Sequence, residues 1–447
     1  MIKFPSPAVS IVGRHNSGKT TLIEKLIAEL VGRGLDVGSV KHHSHVGFDI
    51  DIPGKDSWRH RHAGASETVI AAPGQMARVQ TTDGEAECAD IVASMPGHDV
   101  VIVEGYRKSG LPTIEIMRAG NKADARTAEV FAEGARKGWA LGTDFTQFGR
   151  GAMPHAAEVH PDDHPAAQPL DQAEEDRLAR SYPDHADISN KMPTAATVAV
   201  VTDIPLAAEA AGMYGIPAFD ISDVAGLADF LQATFARPRV SMVIQAGGES
   251  RRMGRSKATI PFCGRPLICR LVERLSPVAD ELIVTTNEPK ELAFLQEQYP
   301  ELGIRFESDV INERGALPGL YTALRCACNP YVAVVACDMV LASPSLVVAE
   351  ALEMTRTGAD VVVPVNKHGF EPFHAIYRRS GCLPAVRAAL NEGEKRAQVF
   401  FNQVNVCEFS QKKVLEAEPM GGCFMNANTP DELAALERIV QERIECE

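Results

Sequence analysis

Val9-Ser10-Ile11-Val12-Gly13-Arg14-His15-Asn16-Ser17-Gly18-Lys19-Thr20-Thr21-Leu22 decides the fold class. A short apolar run passes directly into Gly-x-x-x-x-Gly-Lys-Thr. Leu22, Ile23, Leu26, Ile27, Leu30 and Val31 then mark one face of a helix. Strand, glycine loop, helix is the context that a phosphate-binding loop requires. The glycines let the backbone turn its N–H groups inward onto a phosphate chain, and the helix N-terminus adds partial positive charge. Lys19 is placed to reach the β- and γ-phosphates, and Thr20 to ligate Mg²⁺. The expected nucleotide set is Gly13, His15, Asn16, Ser17, Gly18, Lys19, Thr20 and Thr21.

Outward from this loop, apolar runs alternate with helical patterns to about Arg118. Val37 to Val40, Thr68 to Ala71 and Val100 to Val103 read as buried strands, so a parallel sheet covered by helices is expected. Asp99-Val-Val-Ile-Val-Glu104-Gly105 has a carboxylate, Glu104, at a strand's C-terminal end. A group there holds Mg²⁺ through water or polarises an attacking water. Thr197 to Val201 reads as a further strand of this domain and Asp223 to Phe235 as its closing helix. Between them the periodicity breaks down. Pro, Ala, Asp and His dominate 119–193, which reads as a polar, partly disordered insertion with a short helix near Leu170 to Arg180. His155, His160, His164 and His185 read as a solvated polar loop rather than a metal site. Lys41-His42-His43-Ser44-His45, before Phe48-Asp49-Ile50-Asp51, reads as a polar switch-like loop in preference to a metal cluster.

A second α/β pattern begins near Arg237-Pro238. Val240 to Ile244, Glu281 to Thr285, Tyr331 to Val335 and Val361 to Val363 are its strands. After the first comes Gln245-Ala246-Gly247-Gly248-Glu249-Ser250-Arg251-Arg252-Met253-Gly254-Arg255-Ser256-Lys257, glycines interleaved with cations. Glycine admits a nucleotide close to the backbone, and Arg251, Arg252 and Lys257 can neutralise a triphosphate. Asp338 ends the strand after Val332-Ala-Val-Val-Ala-Cys337, where ligands gather in a doubly wound sheet, and is the expected Mg²⁺ ligand. Asn287 and Asp309 stand at two more strand ends, with an ordinary turn role open for each. Thr429-Pro430-Asp431-Glu432 is a helix capping box, so Asn426 and Asn428 are the candidate functional residues beside it.

With 447 residues the chain exceeds one ordinary core. The expected division is residues 1–118 and 194–236 for the P-loop domain, 119–193 for the insertion and 237–447 for the second domain. The net charge of −14 argues against nucleic acid or an anionic membrane as the main partner. Ten cysteines include no Cys-x-x-Cys pair and read as reduced thiols. No apolar run approaches the roughly 20 residues that span a bilayer, and no signal peptide is evident, so a cytoplasmic protein is expected.

Two resemblances sharpen this reading. Lys41-His42-His43, Asp51-Ile-Pro53-Gly54-Lys55-Asp56-Ser57, Ala63-Gly64-Ala65, Ile102-Val103-Glu104-Gly105-Tyr106 and Ile114-Glu115 resemble the molybdopterin-guanine dinucleotide biosynthesis adaptor family. That likeness implies a GTP-binding, weakly hydrolysing domain with guanine-side contacts around Thr202-Asp203. Gln245 to Lys257, Gly264-Arg265-Pro266-Leu267 and Asn426-Ala-Asn428-Thr429-Pro430-Asp431-Glu432-Leu433 resemble the molybdenum cofactor guanylyltransferases. Gln245 stands where that family has Leu, and Gly315-Ala316-Leu317-Pro318-Gly319 has its proline shifted.

The implied protein is α/β. It has an N-terminal P-loop NTPase-like parallel sheet and a C-terminal Rossmann-like, doubly wound nucleotidyltransferase domain. The implied catalytic residues are Lys257, Arg252 and Asp338. Gln245, Ala246, Gly247, Gly248, Arg251, Asn287 and Asp309 complete the implied GTP site. The implied reaction moves GMP from GTP to molybdopterin, with Mg²⁺. Molybdoenzyme apoproteins or cofactor-insertion proteins are the implied protein partners. A cytidylyl- or sugar-nucleotidyltransferase joined to a pure nucleotide- or cofactor-binding module is the alternative.

Overall fold

The computed structural model describes residues 2–43, 51–142, 191–247, 256–311, 313 and 315–445. It divides into two compact units, Pro5–Arg237 and Pro238–Glu447, the latter joined by Met1–Phe4.

The first unit is built on β1 (Ala8–Gly13), β2 (Val37–Lys41), β5 (Val100–Glu104), β6 (Thr113–Met117), β7 (Thr197–Thr202) and β8 (Ala218–Phe219). Their order is β2-β5-β1-β6-β7-β8, and every pairing is parallel. Such a sheet is covered on both faces, so its strands are continuous apolar runs: Val9, Ile11, Val12 and Val100 to Val103 are all buried. Helix α1 (Lys19–Gly32) buries Leu22, Ile23, Leu26 and Leu30 against it, whereas Val31 is 52% exposed. With β1 at the centre, the glycine loop leaves the sheet's C-terminal edge at a switch point between β5 and β6.

Two expectations change here. Thr68 to Ala71 is no buried strand of this sheet. It lies in β3 (Glu67–Ala72), which pairs antiparallel with β4 (Gln75–Gln80) as a separate, largely exposed hairpin. Pro73-Gly74 makes the turn, with Gly74 at φ 78°, and such a dipeptide between two short apolar runs is a hairpin signal. Further on, α2 (Asp56–His62) and α3 (Cys88–Ala93) are short helices of the connections.

The start of the expected insertion is also ordered. Helix α4 (Lys122–Lys137) is capped by the Asn121 side chain and ended by Gly138 in the left-handed region. It buries Ala128, Val130, Phe131 and Ala132 in a cluster shared with α5 (Pro205–Met213). The unit closes with α6 (Val224–Thr234), which packs on α1. The expected helix at Leu170 to Arg180 and the four histidines of 119–193 lie outside the described residues.

The second unit holds a mixed sheet in the order β13-β12-β9-β14-β17-β15-β16, with β18 on β15. Its strands are β9 (Val240–Gln245), β12 (Glu281–Thr285), β13 (Arg305–Glu307), β14 (Tyr331–Ala336), β15 (Val361–Asn366), β16 (Gly369–Phe370), β17 (His374–Arg378) and β18 (Val406–Phe409). A small hairpin, β10 (Pro261–Phe262) and β11 (Arg265–Pro266), stands apart. The first four strands of the order run parallel. β17 runs antiparallel to β14 and β15, so the sheet is mixed. The cause is chain length: after β16 too few residues remain for the crossover that a parallel return needs.

Residues of β9 alternate between two cores. Met242 and Ile244 face one with α7 (Leu267–Leu275), and Val243 faces the other with α9 (Ala316–Cys326). The remaining helices are α8 (Phe294–Gln298), α10 (Pro344–Thr357), α11 (Arg379–Asn391), α12 (Gln411–Ala417) and α13 (Pro430–Glu445).

Candidate functional site

In the first unit the glycine loop has the expected shape. Gly18 caps α1 at φ 82°, and Asn16 is also left-handed at φ 60°. The left-handed backbone at Gly18 is what favours glycine there, since the one atom a Cβ would crowd is the mobile end of the Arg118 side chain, 2.9 Å away. Lys19 Nζ folds over the loop and donates to Gly13 O (3.1 Å) and Arg14 O (2.6 Å). Burial is the main cause that lowers its proton affinity, with Glu104 opposing. Thr20 Oγ1 donates to Glu104 Oε1 at 3.1 Å, which joins the two residues expected around Mg²⁺. Lys41 reaches the same carboxylate at 3.2 Å.

These groups, with His15, Asn16 and Thr21, line one cavity of about 1150 Å³. The His42 and Tyr106 rings lie 4.3 Å apart, tilted by 31°, and His42 Nε2 lies 2.6 Å from Glu85 Oε1. His45 and Asp49 lie outside the described residues.

Sequence reasoning missed what braces this loop. Arg14, a variable position of the motif, is buried. Its Nε lies 3.0 Å from Asp124 Oδ1 and its Nη2 donates to Thr127 Oγ1 at 2.9 Å. Both partners sit on α4, so the start of the supposed insertion holds the phosphate loop. Asn121 and Gly138, good N- and C-terminal caps, were the available signal. Asp203, expected on the guanine side, accepts from Arg118 Nε (3.2 Å) and Ala119 N (2.5 Å).

In the second unit, four adjacent strand ends gather the candidates. Lys257 Nζ donates to Asp338 Oδ2 at 2.8 Å and to Asn428 Oδ1 at 2.7 Å. One ammonium thus ties the end of the glycine loop, the turn after β14 and the turn before α13. The backbone repeats the link, because Ala427 N–H donates to Asp338 O at 2.9 Å. Asn426 Oδ1 is buried without a hydrogen-bond partner among the described residues.

On the other side, Asn287 and Asp309 bond reciprocally, side chain to side chain at 2.8 Å and backbone to side chain at 3.1 Å. A Cβ on Gly247 would stand 3.8 Å from Asp309 Oδ2, so these three residues are neighbours at the strand ends. Cys337, beside Asp338, is buried and its thiol is pushed up to about 12 by desolvation, which suits packing and not nucleophilic attack. Gly248, Arg251 and Arg252 lie outside the described residues.

With this geometry in view, the comparisons decide the family. Residues 8–132 match the family model described as molybdopterin guanine dinucleotide synthesis protein B, and residues 242–406 match the MobA-like NTP transferase domain. A molybdenum cofactor guanylyltransferase of Desulfosudis oleivorans is 30% identical over 203 residues, 45% of this chain and 96% of that protein. The chain belongs to the molybdenum cofactor guanylyltransferase family.

Its first unit is similar to a molybdopterin-guanine dinucleotide biosynthesis adapter protein of Haemophilus influenzae. The two are 38% identical over 115 residues, 25% of this chain and 64% of the adapter. The crystal structure of molybdopterin-guanine dinucleotide biosynthesis protein A from Archaeoglobus fulgidus aligns with 26% identity and a TM-score of 0.40. It covers 45% of this chain and 99% of that one.

Two departures from the guanylyltransferase pattern have structural accounts. Pro318 falls in the first turn of α9, where its missing N–H leaves no helical bond unmade. The preceding residue's N–H is satisfied by Lys395 O at 2.9 Å, so Lys395 braces this turn through its backbone. Gln245 packs against Gly319: a Cβ there would lie 3.4 Å from its Nε2, which is buried without a hydrogen-bond partner among the described residues. The capping box forms as expected. Glu432 N donates to Thr429 Oγ1 at 3.2 Å, and Thr429 N to Glu432 Oε2 at 3.0 Å.

Proposed function

We propose that the second unit transfers GMP from GTP to molybdopterin, and that the first unit binds GTP at its phosphate loop. In this reaction an oxygen of the acceptor's terminal phosphate attacks the α-phosphorus. The bond to the bridging oxygen of the β-phosphate breaks, and pyrophosphate leaves. No covalent enzyme intermediate is needed, so positioning and charge neutralisation carry the catalysis. The observation that bears most weight is Lys257, whose one ammonium reaches both Asp338 and Asn428 at the sheet's C-terminal edge.

Both sites suit Mg²⁺ on donor chemistry. Mg²⁺ takes hard oxygen donors, one or two carboxylates plus substrate phosphates, and seldom an all-protein cage. The Asp338 carboxylate, whose Oδ2 accepts from Lys257, supplies such oxygens in the second unit. Thr20 and Glu104, already 3.1 Å apart, supply them in the first. Bound there, the ion would offset phosphate charge. Gly247, Asn287 and Asp309 would hold the base and ribose. Among the described residues no helix is long and apolar enough to cross a membrane. A cytoplasmic setting and handover to molybdoenzyme apoproteins or insertion proteins fit the same reading.

Incubation of the full chain with molybdopterin and each nucleoside triphosphate in turn, followed by mass analysis, tests this. The guanine dinucleotide is the expected product. Equal yields from GTP and CTP would sink the guanylyl assignment and favour the cytidylyl alternative.

A further inference from the structure

Among the described residues that line the phosphate-loop cavity are two lysines that no motif accounts for, Lys108, which is exposed, and Lys191, which is partly buried. Lys191 stands at the far end of the polar segment, beyond the regions of resemblance, yet it lines the same cavity as Gly13, Lys19 and Thr20. Its backbone is well anchored. Met192 beside it is buried with Phe131, Trp139 and Ile204, and Met192 O lies 3.5 Å from Arg107 Nη1.

Arg107 lines the cavity too, but its charge is spoken for. Its guanidinium grips Glu115 with both terminal nitrogens, Nη2 to Oε2 at 2.7 Å. Glu115 is buried on β6, paired in register with Val12 just before the glycine loop. Lys41 is likewise paired, with Glu104. Lys191 has no salt-bridge partner among the described residues, although it is partly buried.

Lys191 and Lys19 border the same cavity. Two ammoniums that border one cavity repel, and a polyanion bound between them reverses the sign. A phosphate-loop lysine reaches the β- and γ-phosphates, so a triphosphate held by Lys19 brings its terminal phosphate into the cavity that Lys191 also lines.

We propose that Lys191 is a further phosphate-binding residue of the first unit, one that contacts the terminal phosphate of a nucleoside triphosphate. Lys191 thereby adds a cation to the nucleotide site, and the site gains preference for a triphosphate over a diphosphate. This rests on the reading of the first unit as a nucleotide-binding domain.

The test uses the full chain with GTP and GDP, titrated by calorimetry in Mg²⁺. The variants are Lys191→Gln, Lys191→Arg and Lys19→Ala. Lys191→Gln is expected to weaken GTP about tenfold and GDP by less than about threefold, and Lys191→Arg to keep most of the GTP affinity. Equal weakening of GTP and GDP by Lys191→Gln, or none of either, overturns the assignment. If Lys19→Ala meanwhile weakens both nucleotides, the phosphate-loop reading survives that failure. If the unaltered chain binds neither nucleotide at this site and Lys19→Ala changes nothing, both readings fall together.

Discussion

Replacing Lys257 by Ala removes the ammonium that spans Asp338 and Asn428, at 2.8 and 2.7 Å. Two separable costs follow. For stability, a charge-assisted hydrogen bond is worth about 1.5–3 kcal/mol when shielded. Here Lys257 and Asp338 are each 20% exposed, and partial exposure screens the pair. A net loss of roughly 1–2 kcal/mol is expected, a fall in Tm of about 2–8 °C for a unit this size. For catalysis, removing one donor to charge that develops in the transition state costs about 2.7–4 kcal/mol, or 10²–10³ in kcat.

The rate should therefore collapse in a protein that is still folded at 25 °C. Single-turnover formation of the guanine dinucleotide, with saturating GTP and Mg²⁺, reads the first quantity; a thermal melt of the same sample reads the second. Lys257→Arg keeps the charge but presents a planar fork in place of a point donor, so it should recover only part of the rate. A folded Lys257→Ala protein whose rate stays within about fivefold of the original would refute the reasoning, since even one lost charged contact predicts about tenfold.

Three other outcomes are expected. Asp338→Ala should abolish transfer, because a metal-held carboxylate offsets several kcal/mol of phosphate charge; near-normal product at saturating Mg²⁺ would rule this role out. Lys19→Ala should weaken GTP binding in the first unit by about ten- to a hundredfold, seen as a second, weaker binding event in calorimetry, and unchanged isotherms would remove the residue from the site.

The last concerns Glu350, which is fully buried 3.5 Å from His374 and whose carboxyl burial raises to about 7. A raised folded-state pKa means the native state holds a proton that the unfolded chain has released. Stability from this group is full below about pH 4.5 and lost as pH climbs through about 7. Glu350→Gln should therefore flatten the decline between those limits, read from urea melts at pH 5 and pH 8; parallel curves for the two proteins would contradict it.

Much of this was legible in the chain. Hydrophobic runs set at strand length, each ending in a glycine loop or a carboxylate, mark β1, β5, β9 and β14 and the groups at their C-terminal ends, because strand register and loop chemistry are local. Thr429 and Glu432 bond across a single helical turn, and their spacing alone announced it.

What the chain did not announce depends on distance in sequence. Arg14 reads as a variable loop residue until α4, more than a hundred positions away, supplies Asp124 and Thr127. Thr68 to Ala71 has strand chemistry, but whether such a strand joins the central sheet depends on which edge the chain reaches. The antiparallel β17 follows likewise from a connection too short to cross over. Lys257, Asp338 and Asn428 were each singled out, but only packing brought the three within reach of one ammonium. Local pattern records what each segment prefers, whereas ion pairs between remote segments form only after the sheet has fixed the strand order, and that order is a property of the whole fold.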